Sequence, residues 1–423
     1  MTFPIIGAII IIAITIYCLL KRYETRLVLF LAGFAMTCLA LDPMAAFKQF
    51  DVSMTKGSLI IVICSAMGFA ATVNLTKCDL HLIALLTKPL NKLGILLLPC
   101  CMIVTGVASI AISSLTGLCA AVGPTMVALM VRAGFRPAMA AAMVVASTIP
   151  SFISPGSAHN IFVSKLASME VIEFINYHFA TIMIMTAITI TLMVVICFLY
   201  GDFRKDGSFK NTAMMEGSGA ELPARPNVLY ALAPLLPVVL LFVVAMFFKN
   251  VKMSVGTAML IGVFYTVIVT RSNPAEISRK FFDGMGKGYG SILGLIIAAG
   301  VFAAGLRSVG LIDLFVNYLK HSSEVAKLGA AIGPYTLGIM TGSGDAAAFT
   351  FNEAVTPHAA EFGMQIKDLG FIALVSASLG RISSPIAAGV ILIAGVAGVS
   401  PIEIAKRTIP VMLCILVFTY FFG

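Results

Sequence analysis

The chain has 423 residues, of which 60% are apolar and only 11% are charged, and its mean hydropathy is +1.03. Soluble globular proteins carry about 25% charged residues, so this composition excludes them and predicts a protein embedded in a lipid bilayer. The formal net charge of +9 is explained by basic loops on one side of a membrane, so it does not indicate a nucleic-acid partner.

Long, continuous apolar runs predict membrane-spanning helices rather than outer-membrane strands, in which apolar and polar residues alternate. The predicted spans are 3–20, 27–44, 57–75, a pair over 94–131, a broken span over 137–174, 178–199, 228–247, 253–270, 288–306, a second pair over 325–362, a second broken span over 368–399, and 408–422. Phe3–Leu20 lacks a preceding basic residue and is followed by Lys21 and Arg22, which predicts a retained helix that starts outside the cell.

The basic residues predict an orientation for these spans. Most of the 28 Lys and Arg residues lie in the loops at 21–26, 76–93, 132–136, 200–227, 271–287 and 400–407, which are therefore expected in the cytoplasm. With that parity, the two halves enter their hairpins from opposite sides. The fold class is thus an all-α polytopic membrane protein with an inverted-topology repeat, about 10 transmembrane helices, two re-entrant hairpins and two broken helices. The repeats are 1–199 and 228–423, joined by a cytoplasmic linker at 200–227.

Two polar interruptions recur in each half at a similar spacing. They read AISSLTG (Ala111–Gly117) and ISPGSAHN (Ile153–Asn160) in the first half, and MTGSGDA (Met340–Ala346) and RISSPIAAG (Arg381–Gly389) in the second. Serine caps followed by proline or glycine predict helix starts, whose free N–H groups and partial positive charge suit an anion. Paired interruptions of this kind indicate a transporter binding site. The alternative is that these residues only permit close helix packing or kinks.

The predicted substrate site combines polar residues and glycines of these four segments. From the first half they are Ser113, Ser114, Thr116, Gly117, Ser154, Ser157 and Asn160, and from the second Thr341, Gly342, Ser343, Gly344, Asp345, Arg381, Ser383 and Ser384.

Arg381 lies in a long uncharged segment, and its planar guanidinium suits a substrate carboxylate; the alternative is a structural pair with Asp345. Asp345 carries a proton, contacts a coupling cation or neutralises Arg381, and the sequence does not rank these roles. His159 and Lys165 are further candidates for function, each with a structural alternative. Glu353 is expected to be structural.

Enzymatic signatures are missing from the sequence: it has no HExxH, no nucleophile elbow and no Walker A motif, so neither an enzyme nor an ATP-driven pump is expected. The nine cysteines lack metal-type spacing and are interpreted as packing residues. No metal site or cofactor is expected, and Na⁺ or H⁺ remains as the candidate coupling ion.

Six segments resemble the DcuC family of anaerobic C4-dicarboxylate carriers, in the larger ion-transporter superfamily. They are SSLTGL (Ser113–Leu118), FFDGMG (Phe281–Gly286), AAGVFAAGL (Ala298–Leu306), TGSGDAAAF (Thr341–Phe349), LGRISSP (Leu379–Pro385) and GVSPIEIAKRTIPV (Gly398–Val411). The resemblance implies exchange, uptake or efflux of succinate, fumarate and similar dicarboxylates across the bacterial inner membrane by a multi-pass protein. It also implies a homodimer that works by an elevator-like movement. In such carriers the second hairpin usually reads GSGNA, whereas here Asp345 replaces the amide.

The leading hypothesis is therefore a secondary active transporter of C4-dicarboxylates that works by alternating access. A second hypothesis keeps the fold but changes the substrate to another organic anion or an amino acid, with Asp345 meeting an amine. A third is a channel or a non-transporting membrane scaffold.

Overall fold

The computed structural model describes residues 2–21, 23–87, 96–204, 223, 225–247, 253–312, 314 and 323–423. Within these residues the regular secondary structure is helical, apart from an isolated antiparallel bridge between Phe135 and Phe203. The first ten helices are α1 (Thr2–Leu20), α2 (Thr25–Leu39), α3 (Met44–Met54), α4 (Gly57–Leu75), α5 (Cys78–Thr87), α6 (Leu97–Ala111), α7 (Leu115–Arg132), α8 (Pro137–Ala146), α9 (Ala158–Leu166) and α10 (Val171–Leu199).

The described residues of the second half form ten more helices. They are α11 (Val228–Leu232), α12 (Leu236–Phe247), α13 (Val255–Thr270), α14 (Pro274–Lys287), α15 (Gly294–Ser308), α16 (Ser323–Thr341), α17 (Gly344–Ala354), α18 (Ile366–Ser383), α19 (Ala388–Ala397) and α20 (Pro401–Phe422). Short 3₁₀ turns cover Ile149–Ile153, Ala233–Leu235 and Thr356–Phe362.

Six helical segments of the described residues are long and apolar enough to cross a membrane, the two broken helices included, and the bent pair of α3 and α4 would make a seventh. Shorter apolar helices, α1, α2, α6 and α13 among them, add to these. The total of about ten and the inverted repeat remain predictions, as do the boundaries of the two repeats. Most of the predicted linker, 205–222 and 224, lies outside the described residues.

One helical segment begins earlier than hydropathy predicts. The predicted span 288–306 is part of a continuous 35-residue helix, Pro274–Ser308, in which a π-helical turn at Gly288–Leu293 joins α14 to α15. Charged residues on one face of α14 lower its hydropathy, while Ile277 and Phe281 on the opposite face are buried. Similarly, the predicted outer loop after α2 contains α3, which packs against α15.

The helices pack as two groups that meet along a boundary. Hairpins and broken helices form one group, in which α16 packs against α18, α7 against α19 and α20 against both α18 and α10. The other group contains α2, α3, α4, α13, α14 and α15, with α15 against α2 and α3 and α14 against α4. The boundary is crossed where α17 packs on α15 and where α9 packs on α4.

A buried ion cluster joins three of the turns that are predicted to face the cytoplasm. The Arg407 guanidinium donates from Nε to Asp202 Oδ2 (2.6 Å) and from Nη2 to Asp202 Oδ1 (2.9 Å), and both side chains are almost fully buried. Arg136 Nε lies 3.4 Å from the same carboxylate. Because a buried ion pair is tolerated only when it is well hydrogen-bonded, this cluster fixes the end of α10 against α8 and α20.

Candidate functional site

The tip of the first hairpin lies against the first broken helix. After α6, Ser114 caps the N-terminus of α7, its hydroxyl accepting a hydrogen bond from the Gly117 backbone N–H (3.3 Å). The neighbouring Ser113 Oγ donates to Ser154 Oγ at 3.3 Å. α6 has 15 residues and is therefore about 22 Å long, shorter than the roughly 30 Å hydrocarbon core. A helix of this length fits the predicted re-entrant arm, and the re-entrant hairpin stays a prediction.

Asn160 holds the first break in shape. Its amide nitrogen donates to the carbonyl oxygens of Phe152 (2.7 Å) and Ser154 (3.0 Å), and its side chain is buried. Its Oδ1 is buried without a hydrogen-bond partner among the described residues. Ser157, also buried, is the residue before α9, whereas Thr116 in the first turn of α7 is exposed. Asn160 therefore bridges the break and presents an unused acceptor.

The tip of the second hairpin repeats this arrangement with a tighter turn. Thr341 Oγ1 accepts from the Ser343 backbone N–H (3.2 Å), and Ser343 caps α17 by accepting from Ala346 N–H (3.2 Å). Gly342 has a φ of +70°, and a Cβ there would lie 3.0 Å from the backbone of Ala387. Glycine is thus required both for the turn and for the close approach to the second break. Gly344 is the first residue of α17.

Two serines of the second break are used to hold the hairpin. Ser383 Oγ lies 3.2 Å from Tyr335 Oη, and Ser384 Oγ donates to the Ile339 carbonyl (2.7 Å). Both serines are fully buried. In this structure their hydroxyls anchor α18 to α16, and their predicted role in substrate binding stays a prediction.

A charged centre joins the two halves of the chain. Asp345 Oδ1 lies 3.3 Å from Arg381 Nη1 and 3.1 Å from His159 Nε2, so α17, α18 and α9 meet at one carboxylate oxygen. The Asp345 side chain is 46% exposed, whereas those of Arg381 and His159 are 17% and 9% exposed. Arg381 Nε is buried without a partner among the described residues, so the guanidinium has a donor to spare.

The sequence anticipated only part of this centre. It offered the Arg381–Asp345 pair as one of two roles for the arginine, and it left His159 as a candidate outside the predicted site. His159 joins the centre because α9 lies against α17, where Phe349 packs on its ring at 5.0 Å. Lys165, the other open candidate, contacts Glu170 at 3.7 Å.

A cavity of about 560 Å³ leads from the first tip toward the turn between α4 and α5. Ser113, Ser114, Gly117 and Ser154 line it at the tip, and Gly156 lies beside them. Its lining continues to three polar residues that the sequence did not single out, Asn74, Lys77 and Asp79. The cavity connects the first tip with the side of the molecule that is predicted to face the cytoplasm.

Asp79 gives the far end of this cavity a pH-dependent charge. It lies in the first turn of α5, is 6% exposed and accepts a hydrogen bond from Leu80 N–H (2.9 Å). Burial raises the pKa of Asp79 to about 6, although the hydrogen bonds to its carboxylate oppose the shift. The charge at this end therefore changes in a range close to physiological pH.

The hairpins and broken helices, built into an all-helical membrane fold, define a membrane transporter. The YdaH transporter of Alcanivorax borkumensis shares the fold: the structures superpose with a TM-score of 0.62 at 13% sequence identity, over 89% of this chain and 85% of that one. A family model described as C4-dicarboxylate anaerobic carrier, DcuC, matches residues 39–422. The chain belongs to this DcuC family and is a transporter rather than an enzyme.

Two relatives illustrate the similarity of this chain to other transporters. A protein of Haemophilus influenzae described as an uncharacterized transporter is 41% identical over 276 residues, which cover 64% of this chain and 99% of that protein. The anaerobic C4-dicarboxylate transporter DcuC of Escherichia coli K12 is 24% identical over 439 aligned positions, covering 97% of this chain and 94% of that protein. The chain is thus similar over nearly its whole length to a transporter named for its dicarboxylate substrate.

Proposed function

We propose that this chain is a secondary active transporter that carries C4-dicarboxylates, such as succinate and fumarate, across the bacterial inner membrane by alternating access. The observation that carries the proposal is the charged centre of Asp345, Arg381 and His159, where the second hairpin meets both broken helices. It supplies a largely buried guanidinium inside a membrane protein whose family is described by dicarboxylate transport.

The centre suggests how a dicarboxylate would bind. One substrate carboxylate takes the Arg381 guanidinium, whose Nε has no partner in the described part of the chain and can complete a two-point contact. Asp345 contacts this guanidinium, so substrate has to compete with a carboxylate of the protein itself. The second carboxylate is held at the first tip, where Ser113 and Ser154 hydroxyls and the N-terminus of α7 supply donors.

The cavity supports a transport cycle that starts from one open side. It reaches the first tip from the turn of α4 and α5, which belongs to the predicted cytoplasmic face. Alternating access requires this path to close and one on the opposite face to open, through movement of the hairpin group against the other helices. Coupling to Na⁺ or H⁺, a homodimeric assembly and the elevator-like character of the movement are parts of this proposal.

Counterflow in proteoliposomes tests the function. Vesicles holding purified protein are loaded with unlabelled succinate and receive labelled succinate outside, with and without sodium and a pH gradient. Transient accumulation of label above equilibrium is expected, because only a carrier whose site alternates between faces exchanges in this way. A channel gives no such overshoot. Absence of accumulation with succinate and with fumarate, in vesicles shown to hold folded protein, contradicts the proposal.

A second substrate class is favoured by the exposure of Asp345. A half-exposed carboxylate beside helix N-termini and a guanidinium suits a zwitterion, whose amine would meet Asp345 while its carboxylate meets Arg381. Inhibition of labelled uptake by amino acids rather than by succinate would identify this alternative.

A further inference from the structure

The last turn of α17 carries a second carboxylate, Glu353, at the boundary between the two helix groups. Its side chain is 7% exposed, and its Oε1 lies 3.1 Å from Lys56 Nζ at the joint between α3 and α4. Its other oxygen, Oε2, is buried and has no hydrogen-bond partner among the described residues. A buried carboxylate oxygen without a donor is unfavourable, so this position is suited to receive a proton.

A glycine leaves the space in which this carboxylate meets polar groups of α3. A Cβ on Gly300 of α15 would lie 2.7 Å from Ser53 Oγ and 3.5 Å from Glu353 Oε1. It would also lie 3.4 Å from Gln49 Nε2, which donates to Ser53 Oγ at 3.0 Å. Polar side chains from α3 and α17 therefore converge on the bare backbone of α15, an arrangement that inside a membrane marks a functional site.

Lys56 is the charged group that contacts Glu353, and the other charged groups near it have partners elsewhere. These other groups lie on the elements that pack against α17, and each contacts the residue given in parentheses. They are Arg307 (Gln49), Arg381 and His159 (Asp345), Lys165 (Glu170), His358 (Glu361), Glu324 (Tyr420), Lys327 (the Tyr420 ring) and Lys367 (the Tyr177 ring). Asp368 lies at the opposite, N-terminal end of α18 from Arg381. The charge of Glu353 is thus balanced by Lys56 alone among the contacts described.

We propose that Glu353 is a proton-binding site, separate from the hairpin tips, that couples proton movement to the movement of the second hairpin past α3 and α15. The inference rests on the proposed transport function. The pair joins a helix of the hairpin group to the other group, so relative movement of the groups separates Glu353 from Lys56. An unpaired buried carboxylate is then too costly to remain ionised, and it takes one proton from water while Lys56 keeps its charge. Reforming the pair releases the proton.

The partial exposure of Lys56 indicates the side of the membrane from which the proton reaches the pair. Lys56 is 29% exposed, and its loop belongs to the face predicted to lie outside. The proton therefore enters from the outside, and an inwardly directed proton gradient drives accumulation of substrate.

The test compares Glu353→Gln, which mimics the protonated carboxyl, with wild type in proteoliposomes. Glu361→Gln is the matched control, since Glu361 follows on the same segment but is 41% exposed and pairs with His358. Wild type and E361Q should accumulate labelled succinate several-fold above equilibrium when the outside is acidified. E353Q should keep counterflow within about twofold of wild type, because the uncharged side chain can still move, and should lose the gradient-driven accumulation. Accumulation by E353Q equal to wild type overturns the proposal.

A second variant covers the case in which E353Q loses counterflow as well. The double variant Lys56→Met, Glu353→Gln leaves no lone charge at the boundary, and it should recover counterflow but not gradient-driven accumulation. A folded double variant without counterflow assigns the pair to structure and overturns the inference.

An infrared titration of the purified protein needs no substrate and separates this inference from the proposed function. One component of the titrating carboxylic C=O band should be present in wild type and E361Q and missing from E353Q, beside the component of Asp79 that all three share. If succinate counterflow fails but this band is found, the transport proposal falls and the proton site stands; identical spectra of E353Q and wild type refute the site.

Discussion

The two hairpin tips share a backbone design but differ in charge. In each, a serine caps the returning helix, and in each the tip contacts the neighbouring broken helix. The first tip, however, contacts its break through the hydroxyls of Ser113 and Ser154, whereas the second places Asp345 against Arg381. The repeated backbone supplies N–H donors twice, but only the second half supplies a charge at the tip.

Because of this difference, the two ends of the proposed substrate site differ in charge, although the backbone at the two tips is similar. A dicarboxylate bound between the tips has one end at a guanidinium and the other at neutral donors, so the two ends are not equivalent. His159 connects the two halves of the chain, because it lies on the first broken helix and contacts the carboxylate of the second hairpin. Substitutions at the second tip are therefore expected to change transport more than those at the first.

The largest effect is expected from Arg381, the cation of the broken helix that contacts the second tip. Arg381→Ala should lower initial succinate uptake at least about 100-fold, since a charge-assisted contact is lost and, of its two described ion pairs, Asp345 keeps only the one with His159. Arg381→Lys should rescue little, because a point charge does not reproduce the guanidinium fork. Uptake is measured at matched expression, with Lys406→Ala, an exposed cation on α20, as the control. Near-normal uptake by either Arg381 variant contradicts the role.

Asp345→Asn makes the second tip resemble the first by removing its negative charge. The substitution removes a carboxylate that competes with substrate for Arg381, so the Kd for succinate should fall about tenfold, equivalent to about 1.4 kcal/mol. Equilibrium binding of labelled succinate to the purified variants measures this change. Weaker succinate binding, together with loss of amino-acid competition seen in wild type, would instead support a zwitterionic substrate.

Local sequence patterns predicted the hairpin tips because the residues that form each tip are close together in the sequence. Serine caps, glycine turns and breaks of hydropathy act within a few residues, and α7 and α17 begin at Leu115 and Gly344 behind their serine caps. The predicted helix starts at Ser154–Pro155 and Ser384–Pro385 were wrong: both serines end the preceding helix, and α9 and α19 begin three residues after the prolines. The Arg381–Asp345 pair could be predicted for a related reason. The two residues are 36 positions apart, and each is a single charge in an apolar segment.

Contacts between distant segments could not be predicted in this way. His159 and Asp345 come from different halves, and Lys56 and Glu353 are 297 positions apart, so helix packing decides which charges meet. Glu353 was expected to be structural because a single sequence shows neither the orphaned oxygen nor the space at Gly300. Hydropathy also missed α14, because its charged face hides an apolar face that packs against α4.

The smallest effect is expected at the first tip, from Ser113→Ala and Ser154→Ala. A neutral hydrogen bond contributes about 1 kcal/mol, so each change should raise the KM for succinate about fivefold. Each hydroxyl can form a hydrogen bond to substrate in addition to the one between Ser113 and Ser154. The KM of the double variant should therefore rise about 20-fold.

Whether the two effects on KM are additive shows whether these hydroxyls bind substrate. If they bond only to each other, the double variant will be no worse than either single one, and the first tip would then resemble the second break, where Ser383 and Ser384 bond to neighbouring helices. Ser109→Ala is the matched control, because that hydroxyl is buried in α6 and donates to the Gly106 carbonyl. A near-additive double variant would place substrate at both tips, with its charged end at Arg381 and its other end at neutral donors.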